Sequence, residues 1–284
     1  MGYEQKYYFC QMNVFNKIID FYINASIHVA FAVYAFLRIT ELYLEIPYQK
    51  NLNYFIFFGT ITGYNFVKFA GVAKLHHRSL TRNLKIIQIF SFFCFLAMCF
   101  YAFSLPINTL LLATPFAFLT ILYAVPFLSG FEKNLRNIWY LKIIIVALVW
   151  AAFSVIIPVF EATKSFSYEA ILLFIQRFFI LIVLILPFEI RDLQFDAISL
   201  QTIPRKIGIP KTKRLGLILM LFSLLISYAL SVNFETKNAF MIFFFLVIVM
   251  LMRAKVNQSK YYSAFWVESL PIIWWLLLLG FHNF

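Results

Sequence analysis

The sequence predicts an all-α polytopic membrane protein, a bundle of nine transmembrane helices. Three observations carry this. The 284 residues are 63% hydrophobic and 20% aromatic with only 13% charged, and the mean hydropathy is +0.85. The apolar residues fall in runs of about 20, the length that crosses a hydrocarbon core of ~30 Å. Lys and Arg gather in alternate connections.

The runs lie near 20–40, 52–71, 86–104, 107–128, 139–160, 168–188, 214–232, 238–252 and 261–281. Leu105-Pro106-Ile107-Asn108 alone separates the third from the fourth, which predicts a tight turn. The eighth is short, so it is expected to tilt little or to end in a buried loop. Tyr3, Tyr7, Tyr8, Phe9, Met12, Val14 and Phe15 are interleaved with charges before the first run. That pattern suits an interfacial helix over 1–19, on the cytoplasmic face. Met1–Asp20 lacks the small-residue site of a cleaved signal peptide. No autonomous soluble domain fits, so 1–284 reads as one transmembrane domain.

With a cytoplasmic N-terminus, the opposite loops hold only Arg38, Lys50, Lys164 and Lys237. Arg177 falls inside a span, and the other basic residues face the cytoplasm, chiefly in the 74–85 and 205–214 connections. This bias orients the chain N-in and C-out, as in a bacterial inner membrane. It also accounts for most of the +12 net charge, so no nucleic-acid patch is implied. Cys94 and Cys99 share an apolar run and read as packing residues. His76 and His77 are adjacent in a basic loop, and helical neighbours point apart, so they suit no metal.

The chemistry concentrates at the end of the sixth run, in Pro187-Phe188-Glu189-Ile190-Arg191-Asp192-Leu193-Gln194-Phe195-Asp196. Glu189, Asp192 and Asp196 stand at i, i+3 and i+7 and share one helix face. Carboxylate oxygens are what Mg²⁺ accepts, and Mg²⁺ commonly bridges them to a phosphate. Thr202 and Pro204-Arg205-Lys206-Ile207-Gly208 follow.

At these residues the chain resembles the UbiA superfamily of intramembrane prenyltransferases. The resemblance covers the whole chain in topology and roughly 100–210 in local pattern, including Ile121-Leu122-Tyr123-Ala124-Val125-Pro126-Phe127 and the Leu135–Lys142 stretch. It implies nine helices with a cytoplasmic cleft, and binding of an isoprenoid or other lipid. It also implies Mg²⁺-assisted transfer of a prenyl group from a prenyl diphosphate. In that version Asp192, Asp196 and Glu189 hold the metal, and Asn65, Lys68 and Arg191 contact the diphosphate.

The family's first acidic motif is missing. Span two ends Tyr64-Asn65-Phe66-Val67-Lys68-Phe69-Ala70, and no Asp or Glu occurs between Glu45 and Glu132. Lys68 stands one turn past Asn65. Either it binds diphosphate in place of a metal, or it pairs with Asp192 or Asp196 and closes the site. The alternative function is therefore a non-catalytic pseudoenzyme, a lipid-binding or scaffold subunit of a membrane complex with a protein partner. A transporter would carry more charges at mid-membrane. Arg177, about 18 Å in from Glu189 along the helix, is expected to pair with Glu268 across the bundle, the other reading being a pocket-lining role. His28 is expected to be satisfied within the bundle.

Overall fold

The computed structural model describes residues 16–70, 82–124, 141–194 and 202–282. The helices follow from the solvent: in hydrocarbon every backbone N–H and C=O must be satisfied within its own segment. Seven described helices are long and apolar enough to cross a membrane, or up to eight if one bent pair counts as a span. The chain is an integral membrane protein.

The first predicted span is not continuous. It forms α1 (Asn16–Asn24) and α2 (Ile27–Tyr43), bent by 59° at the junction. Ser26 sits there in the left-handed region at φ 61°. The second becomes α3 (Lys50–Ala70), 21 residues long. It has the length to cross, yet it is outside the apolar set because Asn51, Asn53, Asn65 and Lys68 interrupt it. The predicted count of nine is thus not reached by length and hydropathy together.

α4 (Arg82–Ala102) and α5 (Ile107–Ala124) meet at the expected turn. α6 (Leu141–Ala151) continues through a π-helical turn, Ala152–Ile156, into α7 (Ile157–Thr163). α8 (Tyr168–Asp192) is started by the Ser167 side chain, which accepts from Ala170 N. The short α9 (Ile203–Ile207) ends at Gly208, whose φ of 80° suits a residue without Cβ. α10 (Ile209–Ala229) and α11 (Phe234–Arg253) follow. The eighth segment is therefore a full 20-residue helix rather than a short one. Asn233 caps it by accepting from Thr236 N at 2.8 Å, so polar first-turn residues join the helix. A second π-helical turn, Tyr262–Val267, leads through Glu268 and Ser269 into α12 (Leu270–His282).

The helices pack in chain order and close on themselves: α2 on α3, α3 on α5, α5 on α6, α6 on α8, α8 on α10, α10 on α11, α11 on α12, and α12 back on α2. α4 packs outside α3 and turns Ile89, Phe92, Phe93 and Phe100 outward, where lipid would cover them. α10 comes close to its neighbours at Gly216, where a Cβ would stand 2.5 Å from Leu251 Cδ2 and 2.9 Å from Leu186 Cδ1.

Candidate functional site

The acidic stretch ends α8, and this end of the bundle collects the ionisable groups. Glu189 is 1% exposed, and its Oε1 lies 2.7 Å from Lys142 Nζ at the start of α6. Arg191 turns onto its neighbour, with Nε and Nη2 each 2.8 Å from Asp192 Oδ1. The Arg191 guanidinium also covers the Phe188 ring at 5.3 Å. Arg205 Nη2 donates to Leu193 O at 3.0 Å, tying α9 to the end of α8. Asp196 lies outside the described residues.

The two residues taken from span two serve a different purpose. Asn65 is buried; its Oδ1 accepts from Ser26 Oγ at 2.9 Å, and its Nδ2 donates to Ala25 O at 3.1 Å. Lys68 Nζ donates to Asn24 O at 3.1 Å and Ile23 O at 3.4 Å. Both side chains therefore bind the α1–α2 break. Backbone carbonyls freed at such a break need donors, and these two supply them. In this structure Asn65 thus holds the α1–α2 break through its carbonyl oxygen and one of its two amide N–H groups. Lys68 makes no ion pair with Asp192, which is already engaged by Arg191.

Glu268 also belongs to this end. It follows the π-helical turn of the last span and sits in the field of Lys68 and Arg191. Its expected partner does not reach it. Arg177 is fully buried with its guanidinium 4.4 Å from the Phe36 ring centroid and 4.9 Å from that of Trp274. Those rings stand between the arginine and other company, and a desolvated cation–π contact is worth ~2 kcal/mol. The expected Arg177–Glu268 pair is thus not formed: Arg177 lies against the Phe36 and Trp274 rings, and Glu268 lies in the field of Lys68 and Arg191. Depth along each helix was readable from the sequence, but which face each side chain takes was not.

His28 is satisfied within the bundle. Its Nδ1 meets Tyr22 Oη at 3.0 Å, and its Nε2 meets Phe265 O at 2.9 Å and Ser269 Oγ at 3.1 Å. It thereby joins α1 and α2 to the π-helical turn before Glu268.

At this end, then, Lys68, Lys142 and Arg191 face Glu189, Asp192 and Glu268. Lys142 pairs with Glu189 and Arg191 with Asp192, while Glu268 lies in the field of Lys68 and Arg191. Mg²⁺ takes carboxylates not already neutralised. Among the described residues no group of three His, Cys, Asp or Glu side chains could hold a metal ion. The described residues by themselves make up no Mg²⁺ site, and Asp196 lies outside them.

Beside the network lies a cavity of about 540 Å³ bounded by α3, α4, α5 and α6. Phe55, Phe66, Met98, Ile121, Val149 and Trp150 are among its walls. Gly59 and Gly63 keep the α3 wall open. Tyr64 and Tyr123 line it as well. Tyr64 lies in the field of Glu268 and of Tyr123, and Tyr123 lies within electrostatic reach of Lys142. The two tyrosines therefore form the border between an apolar chamber and a charged rim. Sequence reasoning missed Lys142 and the chamber. Lys142 stood in a stretch already singled out by pattern, but nothing in the pattern gave it a partner.

No protein-family model matches the chain, and no curated protein matches it. Solved structures do. The apo structure of a UbiA homolog from Aeropyrum pernix K1 aligns at a TM-score of 0.68 and 14% identity, covering 89% of this chain and 98% of that one. A UbiA homolog from Archaeoglobus fulgidus bound to GPP and Mg²⁺ aligns at 0.60 and 10% identity, over 93% of this chain and 100% of that one. The same description bound to DMAPP and Mg²⁺ gives 0.59 and 11%, over 93% and 99%. At these identities the likeness is one of architecture: the chain has the fold of UbiA homologs.

Proposed function

We propose that this protein is a divergent member of the UbiA superfamily that binds an isoprenoid lipid through a metal-independent site. The observation that carries the reading is the apolar chamber of about 540 Å³ whose wall residues Tyr64 and Tyr123 lie within electrostatic reach of Glu268 and of Lys142. Ligand pockets commonly span ~300–1,000 Å³ with apolar walls and few polar groups. An isoprenoid chain suits such walls, and an anionic head would exchange for the carboxylates now held by Lys142 and Arg191. The solved homologs bound to GPP or DMAPP support this choice of ligand class. In this reading 1–284 is one domain, with its N-terminus and the charged rim on the cytoplasmic side of an inner membrane.

A second reading, prenyl transfer, is favoured by the shared fold with homologs bound to Mg²⁺ as well. It would need Asp192 to leave Arg191 and, together with Asp196, to hold the metal.

One experiment separates the two. Binding of geranyl diphosphate to the detergent-purified full chain is measured with Mg²⁺ and with EDTA, in wild type and in D192N/D196N. Binding unaffected by EDTA and by the double change is expected. Mg²⁺-dependent binding that the double change abolishes would establish the transferase reading. Failure of geranyl diphosphate and of neutral geraniol to bind would remove both. A stoichiometric protein partner carried through purification, with no lipid bound, would favour a scaffold subunit.

A further inference from the structure

The isoprenoid chamber has a second border, on the flank of the bundle between α3 and α4. A groove of about 370 Å³ lies there, and it shares Thr62, Phe66 and Phe95 with the chamber. Phe66 is 44% exposed and Phe95 42%, so the rings at this border have open space beside them and are not packed core.

The groove differs from the chamber in carrying unmet polar groups. Gln88 and Ser91 line it from α4. They stand inside the apolar span Leu84–Ala102, Gln88 ~6 Å and Ser91 ~10 Å along the helix from its first residue. They are the span's only amide and hydroxyl before Tyr101, and both face the same groove. Among the described residues neither side chain makes a hydrogen bond. A polar group left without a partner in hydrocarbon costs free energy, and polar side chains within a span commonly mark the path of a ligand. The polar groups of the α3 wall are already engaged: Thr62 donates to Phe58 O at 2.9 Å, and Asn65 holds the α1–α2 break. Charge is missing altogether. Among the described residues no Lys, Arg, Asp, Glu or His side chain lines the groove or the chamber.

We propose that the α3–α4 groove is a head-group subsite for an uncharged isoprenoid, an isoprenoid alcohol, whose hydroxyl bonds to Gln88 and Ser91 while its chain passes Phe66 and Phe95 into the chamber. A primary amide both donates and accepts, so Gln88 can serve a hydroxyl in either sense, and Ser91 adds a second partner. A neutral head suits walls that offer no counter-charge. A diphosphate in the groove would lack that counter-charge, so it belongs with the lysine and arginine of the rim. The subsite rests on the reading of the chamber as an isoprenoid site and adds to it a second class of head group.

The test uses the detergent-purified full chain and two probes with the same chain and different heads, farnesol and farnesyl diphosphate. Gln88 and Phe95 are ~10 Å apart along α4, which leaves the rest of a farnesyl chain for the chamber. Isothermal titration is run on wild type, Gln88→Leu and Ser91→Ala. Both substitutions put an apolar group into an apolar span, so unfolding midpoints should be unchanged. Gln88→Leu should weaken farnesol about tenfold, the worth of one hydrogen bond, and Ser91→Ala about threefold. Farnesyl diphosphate should change less than about twofold in either. Equal loss for both probes, or no loss for either, overturns the subsite. Binding of farnesyl diphosphate without binding of farnesol overturns it too, and leaves the isoprenoid reading of the chamber standing. A bilayer phospholipid that copurifies with wild type, is lost from Gln88→Leu and is not displaced by farnesol would make the groove a lipid-packing site and overturn it as well. Binding of neither probe to wild type removes the chamber reading and the subsite with it.

Discussion

Lys142 Nζ meets Glu189 Oε1 at 2.7 Å, and this contact between the start of α6 and the end of α8 sets the character of the charged rim. A carboxylate that the sequence offered to a metal is held by a lysine from another helix. The pair is unequal in exposure, Glu189 being 1% exposed and Lys142 18%.

That inequality makes Lys142→Met costly. It takes the lysine away from a buried carboxylate, and breaking such a pair typically costs about 3–5 kcal/mol. Adding Glu189→Leu to the same chain should recover most of the loss, because a buried ion pair is worth little against apolar packing of similar volume. Denaturant or thermal unfolding in detergent of the single and double variants measures both. Equal destabilisation in the two chains would show that Glu189 has another partner of similar strength.

The chamber can be filled from α3. A Cβ at Gly63 would stand 3.9 Å from Thr120 Cγ2, ordinary contact distance, so a side chain there can start without forcing the helices apart. Gly63→Leu should leave unfolding unchanged or slightly improved, since Gly in a helix interior costs about 1 kcal/mol. It should lower isoprenoid affinity at least about tenfold, the equivalent of 1.4 kcal/mol, by occupying the chamber. Isothermal titration with geranyl diphosphate or geraniol reads the result. Undiminished affinity would place the ligand elsewhere.

Magnesium should not stabilise the protein. A site with a dissociation constant of about 1 mM would raise stability by about 1.4 kcal/mol at about 10 mM Mg²⁺. Lys142 on Glu189 and Arg191 on Asp192 predict no such rise: unfolding midpoints in Mg²⁺ and in EDTA should coincide. A saturable increase that vanishes in D192N would show that the metal displaces Arg191 from Asp192.

The break between α1 and α2 depends on Asn65. Asn65→Leu leaves the Ser26 hydroxyl and the Ala25 carbonyl unpaired in a buried place, each costing about 1–3 kcal/mol. A loss of about 2–5 kcal/mol is expected from unfolding curves. Ligand affinity should change much less, because Asn65 holds the break and not the head group. A fall in affinity without a fall in stability would restore Asn65 to the binding site.

Much of the architecture was legible in the chain. Apolar runs become helices in a membrane because hydrocarbon offers no other partner for the backbone. That rule placed the turn, expected at 105–108 and found at 103–106, and the later spans to within about five residues. It misjudged α11, where Thr236 and Lys237 look like loop but are drawn into the first turn by the Asn233 cap. It also missed the 59° bend, because a single Ser at φ 61° leaves almost no trace in a run of apolar residues.

The candidate site was legible in a different sense. The residue types were visible, Glu189 and Asp192 with Arg191 between them and Asn65 with Lys68, and so was their end of the membrane. Their partners were not. Lys142 and Glu189 are neighbours only because α6 packs on α8, and Asn65 meets Ser26 only because α3 packs on α2. Arg177 and Glu268 looked like a pair by depth alone, and helix rotation sends one to Phe36 and Trp274 and the other toward Lys68 and Arg191.

By itself, then, the sequence determined an integral membrane protein of helical spans with an ionisable end to its sixth run, because span length and hydrophobicity are one-dimensional properties. Only the tertiary structure decided what neutralises each charge, since a buried ion takes the counter-charge, ring face or carbonyl that packing brings within a few ångströms, whatever its distance along the chain.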